Sequence, residues 1–78
     1  IITFQLLLHD EQGLLSEILG VFADAGANIS TINSIVPTNG TAVVTISAET
    51  IDLTITLEEL MNRLSAIQGV LKADVLAG

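Results

Sequence analysis

The sequence predicts an α+β sandwich: a four-stranded antiparallel sheet, strands in the order 4-1-3-2, with two helices on one face. Three observations carry this. Apolar and polar residues alternate with a period of two through residues 1–8 and 41–49, the pattern of half-buried strands. Two other stretches repeat at helical spacing, Leu15, Ile18, Leu19 and Phe22 in one and Leu57, Leu60, Met61, Leu64 and Ile67 in the other. Glycines and an Asn-Gly pair stand at the joints between these stretches. The order is therefore β-α-β-β-α-β. Each helix has one apolar stripe and the sheet one strongly apolar side, so both helices cover the same face, the ferredoxin-like arrangement.

The elements follow in order. Ile1 to Leu8 reads as a strand with Ile2, Phe4, Leu6 and Leu8 on one face and Thr3 and Gln5 on the other. A polar turn from His9 to Gly13 leads into the first helix, which Gly26 ends as a left-handed residue. Leu14 and Val21 fall off the main stripe, and Gly20 inside the helix implies that another backbone comes close. Asn28 to Val36 is the second strand. Its isoleucines at 29, 32 and 35 are three apart, which predicts a bulge near Ser30. Pro37-Thr38-Asn39-Gly40 is a hairpin turn, and Thr41 to Glu49 alternates with Ala42, Val44, Ile46 and Ala48 inward. Thr56 and Glu59 make a capping box for the second helix, with Ile55 stapled to Leu60. Gly69 ends that helix, and Val70 to Leu76 is the last strand.

Composition narrows the function. The 78 residues make one domain, residues 1–78, without cysteine for disulfides or a thiolate metal site. Half the residues are hydrophobic, more than so small a body can hide, which predicts burial against a partner, most simply a second copy. Nine acids face only Arg63 and Lys72, a net charge of −7 that argues against nucleic acid, anionic membrane and polyphosphate partners. No apolar run approaches the ~18 residues that span a bilayer. A start at Ile rather than Met reads as a domain trimmed from a longer soluble, cytoplasmic protein. The single histidine, His9, with no cysteine beside it, reads as a strand-end residue, and no base, nucleophile or phosphate loop stands at a catalytic spacing. No cofactor is expected. The outward sheet positions Thr3, Gln5, Thr31, Asn33, Val43, Thr45 and Ser47 are uncharged, which favours a second protein layer over water.

The run LLLHDEQGLLSEILGVFADAGANISTI, with its D-x-x-G-x-L and G-x-N-I motifs, resembles an ACT domain over essentially the whole chain. The stretch TINSIVPTNGTAVVTIS is most similar to the small PheB-type, chorismate-mutase-like proteins. The resemblance implies regulation by an amino acid bound where two domains meet edge to edge, in a homodimer or higher homo-oligomer. It also implies a pocket shared between the first turn of one subunit and the start of the second strand of its neighbour. Those positions are Asp10, Glu11, Gln12, Gly13, Leu14 and Leu15, facing Asn28, Ile29 and Ser30. Many ACT domains carry Arg-Pro before the glycine; here Glu11-Gln12 stands there, so no cation holds the ligand from that position.

The residue types suit a free amino acid. Unpaired amides at the start of the first helix match a carboxylate, Gly13 leaves room beside the backbone, and Asn28 offers both donors and an acceptor. Structural alternatives stand beside each: Asp10 as a helix cap, Asn28 as a turn residue, Gly26 as purely structural. Three functions therefore remain: an amino-acid-sensing regulatory module, a ligand-independent dimerisation module, and part of a chorismate-mutase-like enzyme.

Overall fold

The computed structural model describes residues 1–9 and 13–77 of the chain. The elements run β1 (Ile2–His9), α1 (Leu14–Asp24), β2 (Asn28–Thr38), β3 (Thr41–Glu49), α2 (Leu57–Ala66) and β4 (Val70–Ala77). They form one antiparallel four-stranded sheet ordered β2-β3-β1-β4, the predicted order read from the other edge. Strand bounds match to within two residues. The expected bulge is present: register slips between Ile29 and Thr31 where β2 pairs β3, leaving Ser30 unmatched. Asn39 and Gly40 both have positive φ, 55° and 77°, the two-residue turn whose twist suits a hairpin.

The core lies between the sheet and the helices. Phe4, Leu6 and Leu8 of β1 and Val44, Ile46 and Ala48 of β3 point into it, with Leu60 and Leu64 of α2 above. Phe4 and Phe22 meet edge to face, ring centres 5.1 Å apart. On α1 the buried line is Leu14, Ile18 and Phe22, continued by Ala25, while Leu15 and Leu19 are half-buried beside it. The expected stripe was therefore rotated by one position, and Leu14, expected off the stripe, sits at its start. The i, i+4, i+8 line is as good a helical repeat as the i, i+3, i+4, i+7 set, and packing of α1 against the sheet and α2, with Phe22 on Phe4, selects it.

Gly20 is exposed, and a Cβ placed on it would meet nothing within 4 Å outside its own helix, so among the described residues no backbone of this chain approaches it. Gly20→Ala should then raise stability by up to about 1 kcal/mol through helix propensity alone. Thermal unfolding should show a melting point higher by several degrees.

At α2, the Glu59 N–H donates to the Thr56 hydroxyl (3.0 Å), the forward half of the capping box. The Glu59 carboxylate turns instead to Arg63, 3.6 Å away. The helix stops after Ala66, three residues before Gly69, because Ile67 turns extended (φ −69°, ψ 127°) and packs against the core. Gly69 serves the sheet, its carbonyl accepting from the His9 N–H at 2.8 Å.

Candidate functional site

The first half of the site is the start of α1. Gly13 is the N-cap, left-handed at φ 84°, and no side chain caps the helix among the described residues. The first amide with an intrahelical partner is that of Glu17, which donates to the Gly13 carbonyl (3.1 Å). The Leu14, Leu15 and Ser16 N–H groups therefore have no acceptor within the helix and lie at its positive dipole end. Gly13 is exposed with open space around it. Leu14 contributes only its amide, since its side chain is 6% exposed and belongs to the core. Leu15 is half-buried. Asp10, Glu11 and Gln12, including the possible Asp10 cap, lie outside the described residues.

The second half lies at the other end of the same helix. There Gly26, at φ 86°, closes α1: its N–H donates to the Ala23 carbonyl (3.1 Å) and the Ala27 N–H to that of Phe22 (3.0 Å). The Thr54 N–H and hydroxyl both donate to the Ala25 carbonyl, at 2.8 and 3.1 Å, tying the segment before α2 to this corner. A Cβ on Gly26 would stand 2.5 Å from the Asp52 carbonyl oxygen. Gly26 is thus structural twice over. With the helix end satisfied by backbone, the exposed Asn28 side chain has no hydrogen-bond partner among the described residues. Ile29 is half-buried against the core and Ser30 is exposed on its bulge.

Within one chain the two halves do not meet. The 11 residues of α1 hold them apart, by about 16 Å at about 1.5 Å per residue. The antiparallel topology still relates them. Gly13 shares an end of the sheet with the close of β2 and its hairpin, whereas Asn28 begins β2 at the opposite end. Strand β2 is an edge, its 11 residues carry no charge, and Ile32 and Ile35 on it are 42% and 61% exposed. Edges that must stay single are usually blunted by charge; this one has only the Ser30 bulge and Pro37.

Two clefts formed by the described residues include no predicted site residue. One of ≈ 380 Å³ is lined by Ile1, Glu49, Thr50 and Ile51, at the end where Asn28 pairs with Glu49. The other, ≈ 190 Å³, lies on the sheet face away from the helices between Gln5, Leu7, Val43, Lys72 and Asp74. Leu7, Lys72 and Asp74 were missed as members of that face. Leu7 keeps phase with Thr3 and Gln5, a signal hidden in the Leu6-Leu7-Leu8 run. No three potential metal ligands cluster among the described residues, and no helix there is long and apolar enough to cross a membrane.

Comparison with known proteins places this geometry. The ACT domain family matches residues 1–74. A UPF0735 ACT domain-containing protein of Caldicellulosiruptor saccharolyticus is 45% identical over 97% of the chain, which covers 51% of that relative. One of Shouchella clausii is 40% identical over 97% of the chain, covering 52% of the relative. The chain thus spans about half the length of the curated relatives it matches. Among solved structures, the ACT domain from GTP pyrophosphokinase of Chlorobium tepidum superposes with a TM-score of 0.74 at 25% identity, over 96% of this chain and 95% of that one. The acetolactate synthase small subunit of Thermotoga maritima shares the fold, with a TM-score of 0.77 at 24% identity over 95% of this chain and 45% of that one.

Proposed function

The chain belongs to the ACT domain family, and from that premise we propose that it is a regulatory unit binding a free amino acid where two copies join along β2. ACT domains generally bind amino acids and regulate. The observation that carries the reading for this chain is the placing of the two half-sites at opposite ends of one uncharged edge strand. A two-fold axis through that edge runs the two β2 strands antiparallel. The start of β2 in one copy then lies at the end of the sheet where the other copy begins α1. Asn28 to Ser30 of one copy would face the start of α1, Gly13 to Leu15, of the other.

The ligand chemistry follows. Amides at a helix start favour the carboxylate, and the Asn28 carbonyl oxygen accepts from the ammonium group. A zwitterion is neutral overall, so a protein of net charge −7 admits it more readily than an anion. With charge-assisted hydrogen bonds contributing about 1–3 kcal/mol each, two or three support micromolar-to-millimolar affinity. On this reading the domain, within a cytoplasmic parent, senses rather than catalyses.

A thermal-shift screen against the common amino acids tests it. Ligand at about 100 times its Kd adds about 2.7 kcal/mol, on the order of 10–20 °C for a domain of this size. Silence for every amino acid at high millimolar concentration contradicts the reading.

The uncharged edge also supports a second reading, a dimerisation module without ligand. Light scattering separates the two: the module's mass ignores amino acids, whereas the sensor's rises with the right one. In both cases Ile32→Lys, which places a charge near the two-fold axis, should weaken self-association.

A further inference from the structure

We propose that the sheet face turned away from the helices is a contact surface for a second copy of this chain, packed sheet against sheet. The face is built of register-matched rows: Ile35, Val43 and Leu7 beside Lys72, and next to them Asn33, Thr45 and Gln5 beside Asp74. Leu7, Val43, Gln5 and Thr45 are all half-buried, and the shallow cleft between β1, β3 and β4 leaves apolar carbon lying open between polar walls.

Charge identifies the occupant. The chain carries nine acids and two cations, so most ways of bringing two copies together set like charges against each other. Between the Thr3–Ser47 row and the Leu7–Val43 row, the only charged side chains among the described residues are Lys72 and Asp74. They form a pair at 3.7 Å, 69% and 46% exposed, so this central area is neutral. Glu49 stands beyond it, at the end of β3. A two-fold axis crossing the strands midway between the Leu7–Lys72 row and the Gln5–Asp74 row sets Lys72 of each copy opposite Asp74 of the other. The surface is then self-complementary, as an isologous contact requires. A cationic partner would be drawn instead to the acidic remainder of the molecule.

Four strands about 4.8 Å apart and about 20 Å long give a face of about 400 Å², or roughly 800 Å² over two copies. That is the size of a weak, concentration-dependent contact. The proposal stands without edge pairing along β2, but on an edge-paired dimer the face doubles and the contact reaches standard size.

The test is sedimentation equilibrium of the whole chain, from micromolar to near-millimolar concentration, beside two variants. Thr45→Glu buries a charge in the middle of the contact. Lys72→Glu changes an exposed side chain, leaves the fold intact, and turns each neutral area to −2. Both are expected to halve the mass reached by the wild type at the highest concentration while melting like it. Molar salt should restore the Lys72→Glu assembly by screening the new repulsion. Equal masses for wild type and Lys72→Glu throughout the series would overturn the proposal, as would a wild type monomeric at every concentration. Ile32→Lys separates this contact from edge pairing: it should lower the mass without abolishing the salt-dependent difference between wild type and Lys72→Glu.

Discussion

Phe22→Ala is expected to leave the domain close to unfolded at room temperature. Phe22 is fully buried and stands edge to face with Phe4 at the centre of the sandwich. Truncating a buried phenylalanine costs about 3–5 kcal/mol, part lost transfer energy and part cavity. A chain of this length has a total stability of only about 4–12 kcal/mol. No disulfide is available to limit the damage. Urea unfolding followed by far-ultraviolet circular dichroism should show a midpoint lowered by half or more, or no folded baseline. A midpoint within a few tenths molar of the wild type would mean that the core is not centred on this pair.

The second large effect is expected at Gly26. Gly26→Ala forces an L side chain into a left-handed conformation, a cost of about 1–2 kcal/mol by itself. It also drives a methyl group against the Asp52 carbonyl oxygen, 2.5 Å from the ideal Cβ position. Backbone cannot rotate away as a flexible side chain can. The segment through Thr54 must shift, and both hydrogen bonds from Thr54 to the Ala25 carbonyl strain or break. Together these amount to about 3 kcal/mol or more. Gly13→Ala supplies the control, because φ is equally positive there but the space is open. Its loss should stay near the conformational cost alone, about 1–2 kcal/mol. Chemical denaturation of the two variants should therefore show Gly26→Ala losing more stability than Gly13→Ala by about 1 kcal/mol or more. Equal losses would show that the approach to Asp52 does not matter.

Where a residue type admits one backbone or one face, the fold was legible from sequence. Asn39-Gly40 admits a tight hairpin turn and little else, and Gly26 after an apolar helical run admits a helix stop. The clean alternation of β3 fixes which residues face the core, and the three-residue spacing in β2 betrays the bulge at Ser30. What escaped was set by packing between elements. Leu14 and Leu15 are chemically alike and adjacent, so only the way α1 packs on the sheet and α2 decides which is buried. Gly20 offered a propensity argument but no information about what lies opposite it. Leu7 was hidden among leucines that alternate between the two faces. The candidate site was legible as a pair of motifs, D-x-x-G-x-L and G-x-N-I. Their separation by the length of α1 is a three-dimensional fact, and it makes a second copy necessary if both are to touch one ligand.

The most direct measurement is an amide-resolved NMR titration of the domain with each common amino acid at a concentration where it self-associates. The account predicts that one amino acid, or a small set of similar ones, shifts the Gly13, Leu14 and Leu15 amides together with those of Asn28, Ile29 and Ser30. Both groups should reach half-saturation at the same micromolar-to-millimolar concentration. Shifts confined to one end of α1, or amides at both ends that stay still at high millimolar levels of every amino acid, would contradict it.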